Sequence, residues 1–360
     1  MAAVAFPQNR LPKQTNAPHD RHTRWMRLTV VSILVLALAA CQTTPEVRDT
    51  SRPETIGATV AALTTQATLL PSVLRNRWAV EYAAQVTQLL PIAPRKLFCT
   101  SNLCWPENQI PPSAGRARPE FADEADYYGT GLASPLFHAR LVDLVAEGQL
   151  AKQAGKRVLD LYAESIGPLK LLAASGFYAV GVSQSPRLRA LYAQSGDQGP
   201  VSLPGRDVSG HVAFLSGDFP SDPAVRAKVG QGYEFVLVKN VLKRGTVRPT
   251  SEVPPEQVFG LGMPDADYLR SLRELLRPGG RLLVYNLCKT PNPMYYDPQT
   301  DCRSPWSQAE WQTAGFVVTD FERNDTEMAR KFAEALGFDR APVAIPNADL
   351  YAVYTLVLKP

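Results

Sequence analysis

From about residue 130 to the C-terminus, short apolar runs alternate with amphipathic stretches, the pattern of a parallel sheet covered on both faces by helices. Seven runs read as strands: "RVLDLYA", "YAVGVS", "VAFLSG", "YEFVLVKN", "GRLLVYN", "GFVVTDFE" and "LYAVYTLVLK". Between and around them, helical periodicity predicts helices near 134–148, 167–175, 185–194, 221–229, 265–276, 306–314 and 325–337. Arg277, Pro278, Gly279 and Gly280 supply the Gly and Pro usage that ends a helix and turns the chain into a strand.

Upstream the pattern changes. Residues 57–90 have helical composition broken near Pro71, and Trp78 and Tyr82 fall four apart on one helix face, a spacing read as core. Residues 91–126 are rich in Pro and turn formers, which predicts an irregular connection stapled by cysteines. Whether the helices cover the sheet as a lid or extend its core is left open by periodicity. The chain therefore divides into a leader (1–40), a tether (41–56), an N-terminal helical and Pro-rich extension (57–129) and an α/β domain (130–360).

Charge sharpens this division. Of the formal +4, all is carried by residues 1–40, where Arg10, Lys13, Arg21, Arg24 and Arg27 face one acid, Asp20, leaving 33 basic and 33 acidic residues in the rest. A neutral body lacks the clustered cations that displace counterions from phosphates, so no nucleic-acid partner is expected. In "MRLTVVSILVLALAACQTT" the apolar run Leu28–Ala40 is too short for a membrane-spanning helix of about 20 residues. With its charged flank it has the layout of a secretory signal, whether translation starts at Met1 or Met26.

Leu38, Ala39, Ala40 and Cys41 resemble the bacterial lipobox, which implies lipidation of Cys41 and a membrane partner through that anchor. Gln42, in place of the acidic retention residue, implies the outer membrane, with the body facing the periplasm. The polar residues after Cys41 then form a tether of about 20 Å if flexible. Four further cysteines fall in two local pairs, Cys99 with Cys104 and Cys288 with Cys302, and fit disulfides of an oxidising compartment, although three connectivities are formally open. No metal site is expected, since there is no CxxC and the body holds only His138 and His211 as imidazole ligands.

The succession "VLDL", "AVGVSQSPRL", "FLSGDF", "YEFVLVKNVL" and "LRELLRPGGRLLVYN" resembles the class I S-adenosylmethionine-dependent methyltransferases over residues 130–360. The resemblance implies a Rossmann-like, mostly parallel seven-stranded sheet with an antiparallel last strand, and a ligand crevice at the carboxyl ends of its first strands. It implies S-adenosylmethionine as cofactor, with Asp160 beneath the ligand, Gly167 in the loop, Ser183 at the ribose position, Asp218 after Gly217 at the adenine position, and Asn240 after Lys239 near the substrate.

Two departures bear on that cofactor. The family's alternate glycines would fall on Tyr162, Glu164 and Ile166, where side chains stand in space that backbone and ligand normally share. Ser183 replaces an acid that grips both ribose hydroxyls, a loss of about 1.5–3 kcal/mol for the missing charged contact. Asp160, Asp218 and Asn240 equally suit the caps and turns these residue types make routinely.

Two functions follow. One is a membrane-tethered methyltransferase-fold protein, non-catalytic or altered in ligand binding. The other is an active methyltransferase with an unknown substrate, a reaction in which proximity supplies much of the rate without a dedicated base. No GxSxG, Walker-type or zinc-protease motif points to other chemistry.

Overall fold

The computed structural model describes residues 55–146, 155–201, 210–338 and 346–360. The expected leader, Cys41 and the tether up to residue 54 lie outside the described residues. No described helix is long and apolar enough to cross a membrane.

The extension opens with α1 (Ala58–Ala67) and α2 (Arg77–Ala84). Asn76 starts α2 by accepting the Trp78 amide at 2.8 Å, an N-cap contribution of about 1 kcal/mol. The periodic apolar side of α2 buries Trp78, Ala79, Tyr82 and Ala83, and Trp78 packs 5.0 Å from Phe177 and 5.6 Å from Phe235. The Trp78/Tyr82 pair is thus core, and this helix joins the main hydrophobic cluster of the α/β domain.

Residues 91–126 differ from the expected irregular connection. They contain β1 (Arg95–Cys99), β2 (Cys104–Pro106) and β3 (Arg118–Ala122), an antiparallel sheet in the order β2-β1-β3. The Cys99–Cys104 disulfide closes the β1–β2 hairpin. Prolines and turn formers between β2 and β3 hide the pairing from a reading of local periodicity, because the partners of β1 and β3 lie some twenty residues apart. Next come α3 (Glu124–Tyr128), begun by an Asp123/Asp126 capping box, and α4 (His138–Val145), shorter at its start than expected.

The remaining elements are β4 (Arg157–Leu161), α5 (Gly167–Ala174), β5 (Tyr178–Ser183), α6 (Pro186–Leu191), β6 (Gly199–Val201), β7 (Gly210–Ser216), α7 (Pro223–Val229), β8 (Tyr233–Lys239) and α8 (Arg244–Val247). They are followed by α9 (Asp265–Leu275), β9 (Leu276–Lys289), α10 (Gln308–Thr313), β10 (Val317–Asn324), α11 (Thr326–Ala335) and β11 (Leu350–Leu358). All seven expected strands are present, and β6 is an added antiparallel edge strand.

Among the described residues these strands form one sheet in the order β10-β11-β9-β8-β4-β5-β7-β6. β4 pairs in parallel with β5 and β8, while β11 runs antiparallel between β9 and β10. Leaving out β6, the order reverses on either side of β4, the first strand of the domain. This is a Rossmann-like α/β sheet of the methyltransferase type, with the antiparallel last strand inserted next to the fifth. A crevice is expected outside the carboxyl ends of β4, β5, β7 and β8, where the order reverses.

The centre of the sheet is apolar on both faces. In β4, Val158 faces one cluster, while Leu159 and Leu161 face the other. Leu159 is wholly buried, so truncation to Ala would cost about 2–5 kcal/mol in transfer and cavity terms. The Cys288–Cys302 disulfide pins the chain after β9, so both cysteine pairs are local.

Candidate functional site

The loop from β4 to α5 leaves the carboxyl end of β4, where the crevice is expected, and Tyr162, Glu164 and Ile166, which stand where the resembled family has glycines, each find a partner. Tyr162 follows the strand with φ 67°, a left-handed conformation uncommon for a bulky residue. Its ring packs edge-on to Phe259 at 5.2 Å, and its hydroxyl donates to the Phe219 carbonyl at 3.1 Å and bonds the Tyr268 hydroxyl at 2.7 Å. The side chain thus spans from the end of β4 to the turn after β7. Burial, with the Asp218 charge adding to it, pushes the Tyr162 hydroxyl well above its ordinary range, so it stays neutral.

Two residues on, Glu164 Oε2 lies 2.6 Å from Lys239 Nζ at the end of β8. The lysine is buried and also donates to the Leu132 carbonyl, between α3 and α4, at 2.7 Å. One cation therefore joins β8, the β4–α5 loop and the segment between α3 and α4. Ser165 Oγ donates to the Tyr128 carbonyl at 2.9 Å, and the buried Ile166 donates its amide to the Tyr192 hydroxyl at 3.1 Å.

Gly167 begins α5 against the extension. A β-carbon there would lie 2.2 Å from the Tyr128 carbonyl oxygen and 3.1 Å from Pro135, so close passage of protein backbone explains the glycine. Asp160 is buried in β4, on the face that α4 covers, with Oδ2 3.3 Å from His138 Nε2. Among the described residues, Asp160 Oδ2 has no hydrogen-bond partner. The Tyr82 hydroxyl, which donates to the Pro135 carbonyl at 2.8 Å, is raised far above its normal range by burial and then by the Asp160 charge.

Ser183 ends β5 and is buried, with the Ser185 amide 3.4 Å from its hydroxyl. Asp218, after Gly217, accepts from Gln184 Nε2 at 2.5 Å and from the Ser221 hydroxyl. Asn240 has φ 63° and accepts the Leu287 amide at 2.8 Å through Oδ1, closing the β8–β9 crossing. Hence Asp160, Ser183, Asp218 and Asn240 stand at or just after the carboxyl ends of β4, β5, β7 and β8, while Gly167 packs against Tyr128 of the extension. Among the described residues, no group of three or more His, Cys, Asp or Glu side chains could hold a metal ion.

Sequence reasoning named Lys239 but not its pairing with Glu164, and it missed His138 as the neighbour of Asp160. The signals present were an unexpected acid in the loop and a cation ending a buried strand. Their separation of 75 positions leaves the pairing to the fold.

No family model and no curated protein matches the chain. Among solved structures it is similar to the (4+2)-cyclase SpnF, at 20% identity over 65% of this chain and 85% of that one, TM-score 0.38. A putative sarcosine dimethylglycine methyltransferase from Galdieria sulphuraria matches at 12% identity over 62% and 84%, TM-score 0.36. An S-adenosylmethionine-dependent methyltransferase from Mesorhizobium loti matches at 13% identity over 62% and 97%, TM-score 0.35. The fold assignment stands on the strand order itself.

Proposed function

We propose that this chain is an outer-membrane lipoprotein, anchored through Cys41 and facing the periplasm, whose methyltransferase-like domain is non-catalytic and holds its cofactor crevice closed with its own side chains. The observation that carries the reading is the lacing of the β4–α5 loop: Tyr162 bonded to Phe219 and Tyr268, and Glu164 paired with Lys239. These side chains stand where the resembled family has glycines. A cofactor's amino-acid part would have to displace an aromatic ring from a buried packing site and separate an ion pair at 2.6 Å. Ser183 supplies no charge-assisted grip on the ribose to offset that cost. The residues present therefore do not fit S-adenosylmethionine, and no methyl-transfer step is derived from them. A fold of this kind then serves as a tethered binding module, since fold and activity are separable.

The test is calorimetric titration of the lipidated protein in detergent with S-adenosylmethionine and with its demethylated product. No heat up to millimolar ligand is expected, and micromolar binding of either would overturn the reading. The second reading, an active methyltransferase, is favoured by Asp160 Oδ2, which has no hydrogen-bond partner among the described residues, and by Asp218, which follows β7 where the resembled family contacts adenine. The same titration decides between them.

A further inference from the structure

The segment after β9 presents an unusual surface. Residues 289–301 are bounded by the Cys288–Cys302 disulfide, and on them Met294 is 88% exposed, Tyr295 63% and Tyr296 36%. The loop is held in shape. Thr290 donates its amide to the Asp349 carbonyl at 2.7 Å, Asn292 Oδ1 accepts the Met294 amide at 2.8 Å, and the Tyr296 hydroxyl accepts the Thr250 amide at 3.1 Å. A covalently closed loop that offers a Met and two Tyr to solvent keeps apolar surface in water, an arrangement that marks contact sites. Tyrosine, with an apolar ring and a polar tip, suits the boundary between lipid and water.

The described chain begins at the same end of the sheet. β9 is parallel to β8, so residues 289–301 leave from the crevice end. α2 climbs toward that end, from Asn76, bonded to Ala146 at the foot of α4, to Tyr82, bonded to the Pro135 carbonyl just before its head. α1 precedes it and starts at Gly57 beside Pro91. Its first amides, of Thr59 and Val60, donate to Glu124, which opens the short α3 whose last carbonyl meets Ser165 at the β4–α5 loop. Ile56 and Leu90 are 58% and 72% exposed there. Cys41 lies only 14 residues before Thr55, so an acylated Cys41 would hold this end toward the bilayer.

We propose that Met294, Tyr295 and Tyr296 form a membrane-docking loop that seats in the headgroup region of a phospholipid bilayer and orients the crevice end of the body toward the membrane. This rests on the lipoprotein reading above. The occupant is the bilayer rather than a protein because the anchor delivers this end to lipid, and because the exposed set is a small apolar tip on a rigid loop.

The test labels Met294→Cys with an environment-sensitive fluorophore in the full lipidated protein, since the four body cysteines are paired and Cys41 is acylated. Lys228→Cys, exposed at the opposite end of the sheet, serves as reference. The labelled proteins are reconstituted in phosphatidylethanolamine/phosphatidylglycerol vesicles carrying brominated lipids. Docking predicts a blue shift and quenching at 294, with the label about 5–10 Å into the headgroup and acyl boundary, and neither at 228. Protein that floats with the vesicles while label 294 stays as accessible to water as label 228 overturns the docking loop and leaves the anchor standing. Protein that fails to float overturns the anchor and the docking loop together. A blue shift at 294 that persists without vesicles and rises with protein concentration shows contact between copies, which also overturns docking to lipid. Tyr295→Cys, labelled in the same way, guards against a local effect of one substitution.

Discussion

Replacing Lys239 by Met tests whether the crevice is laced as described. The substitution keeps most of the apolar stem in its buried site and removes the ammonium, which has two acceptors: Glu164 Oε2 at 2.6 Å and the Leu132 carbonyl at 2.7 Å. A hydrogen bond to a charged group contributes about 1.5–3 kcal/mol. The Glu164 side chain is 28% exposed, so water recovers part of its loss and its bond belongs at the low end. The Leu132 carbonyl is left without its donor. Together Lys239→Met should cost about 3–4 kcal/mol. Glu164→Gln, which keeps a neutral acceptor beside the lysine, should cost about 1 kcal/mol. The double variant should fall short of the sum by about 1–2 kcal/mol, because the two side chains share one interaction. Urea unfolding under non-reducing conditions measures this, with midpoints moving at unchanged slope. A loss under about 1 kcal/mol for Lys239→Met, or strict additivity in the cycle, would refute a laced loop.

Three further outcomes follow from the same packing. Gly167→Ala should destabilise the protein by about 1–3 kcal/mol and increase proteolysis of the extension, because its β-carbon would meet the Tyr128 carbonyl at 2.2 Å; an unchanged digestion pattern would contradict the packing. Arg140→Ala should cost about 3–5 kcal/mol in thermal or urea unfolding, since it strips a buried bidentate partner from Asp325 and a bond at 2.6 Å from Asp143. Burial raises the Glu310 carboxyl, but the Ser307 amide and Arg248 outweigh that and hold it at about 2, below its ordinary 4.5. Its contribution is therefore complete above about 4.5 and lost as pH falls toward about 2. Glu310→Gln should flatten the acid limb of a stability–pH curve in that window, and an unaltered limb would exclude this group.

The order of elements from residue 130 onward was legible because each strand and helix carries its own periodicity. Both disulfides were legible for a related reason, as each joins cysteines within one short segment. The small sheet of β1, β2 and β3 was not, since its β1–β3 pairing crosses a Pro-rich stretch whose local signal is that of a turn. The same limit applied at the crevice. Sequence alone determined that Tyr162, Glu164 and Ile166 stand where the resembled family has glycines, after the first strand of an α/β sheet. Only the tertiary structure decided what those side chains do, because their partners come from elsewhere in the chain: Phe219, Tyr268, Lys239 and Tyr192. Periodicity reports which face a residue turns to the core, whereas a hydrogen bond or ion pair depends on two backbones being set a few ångströms apart, and that separation is a property of the packed fold.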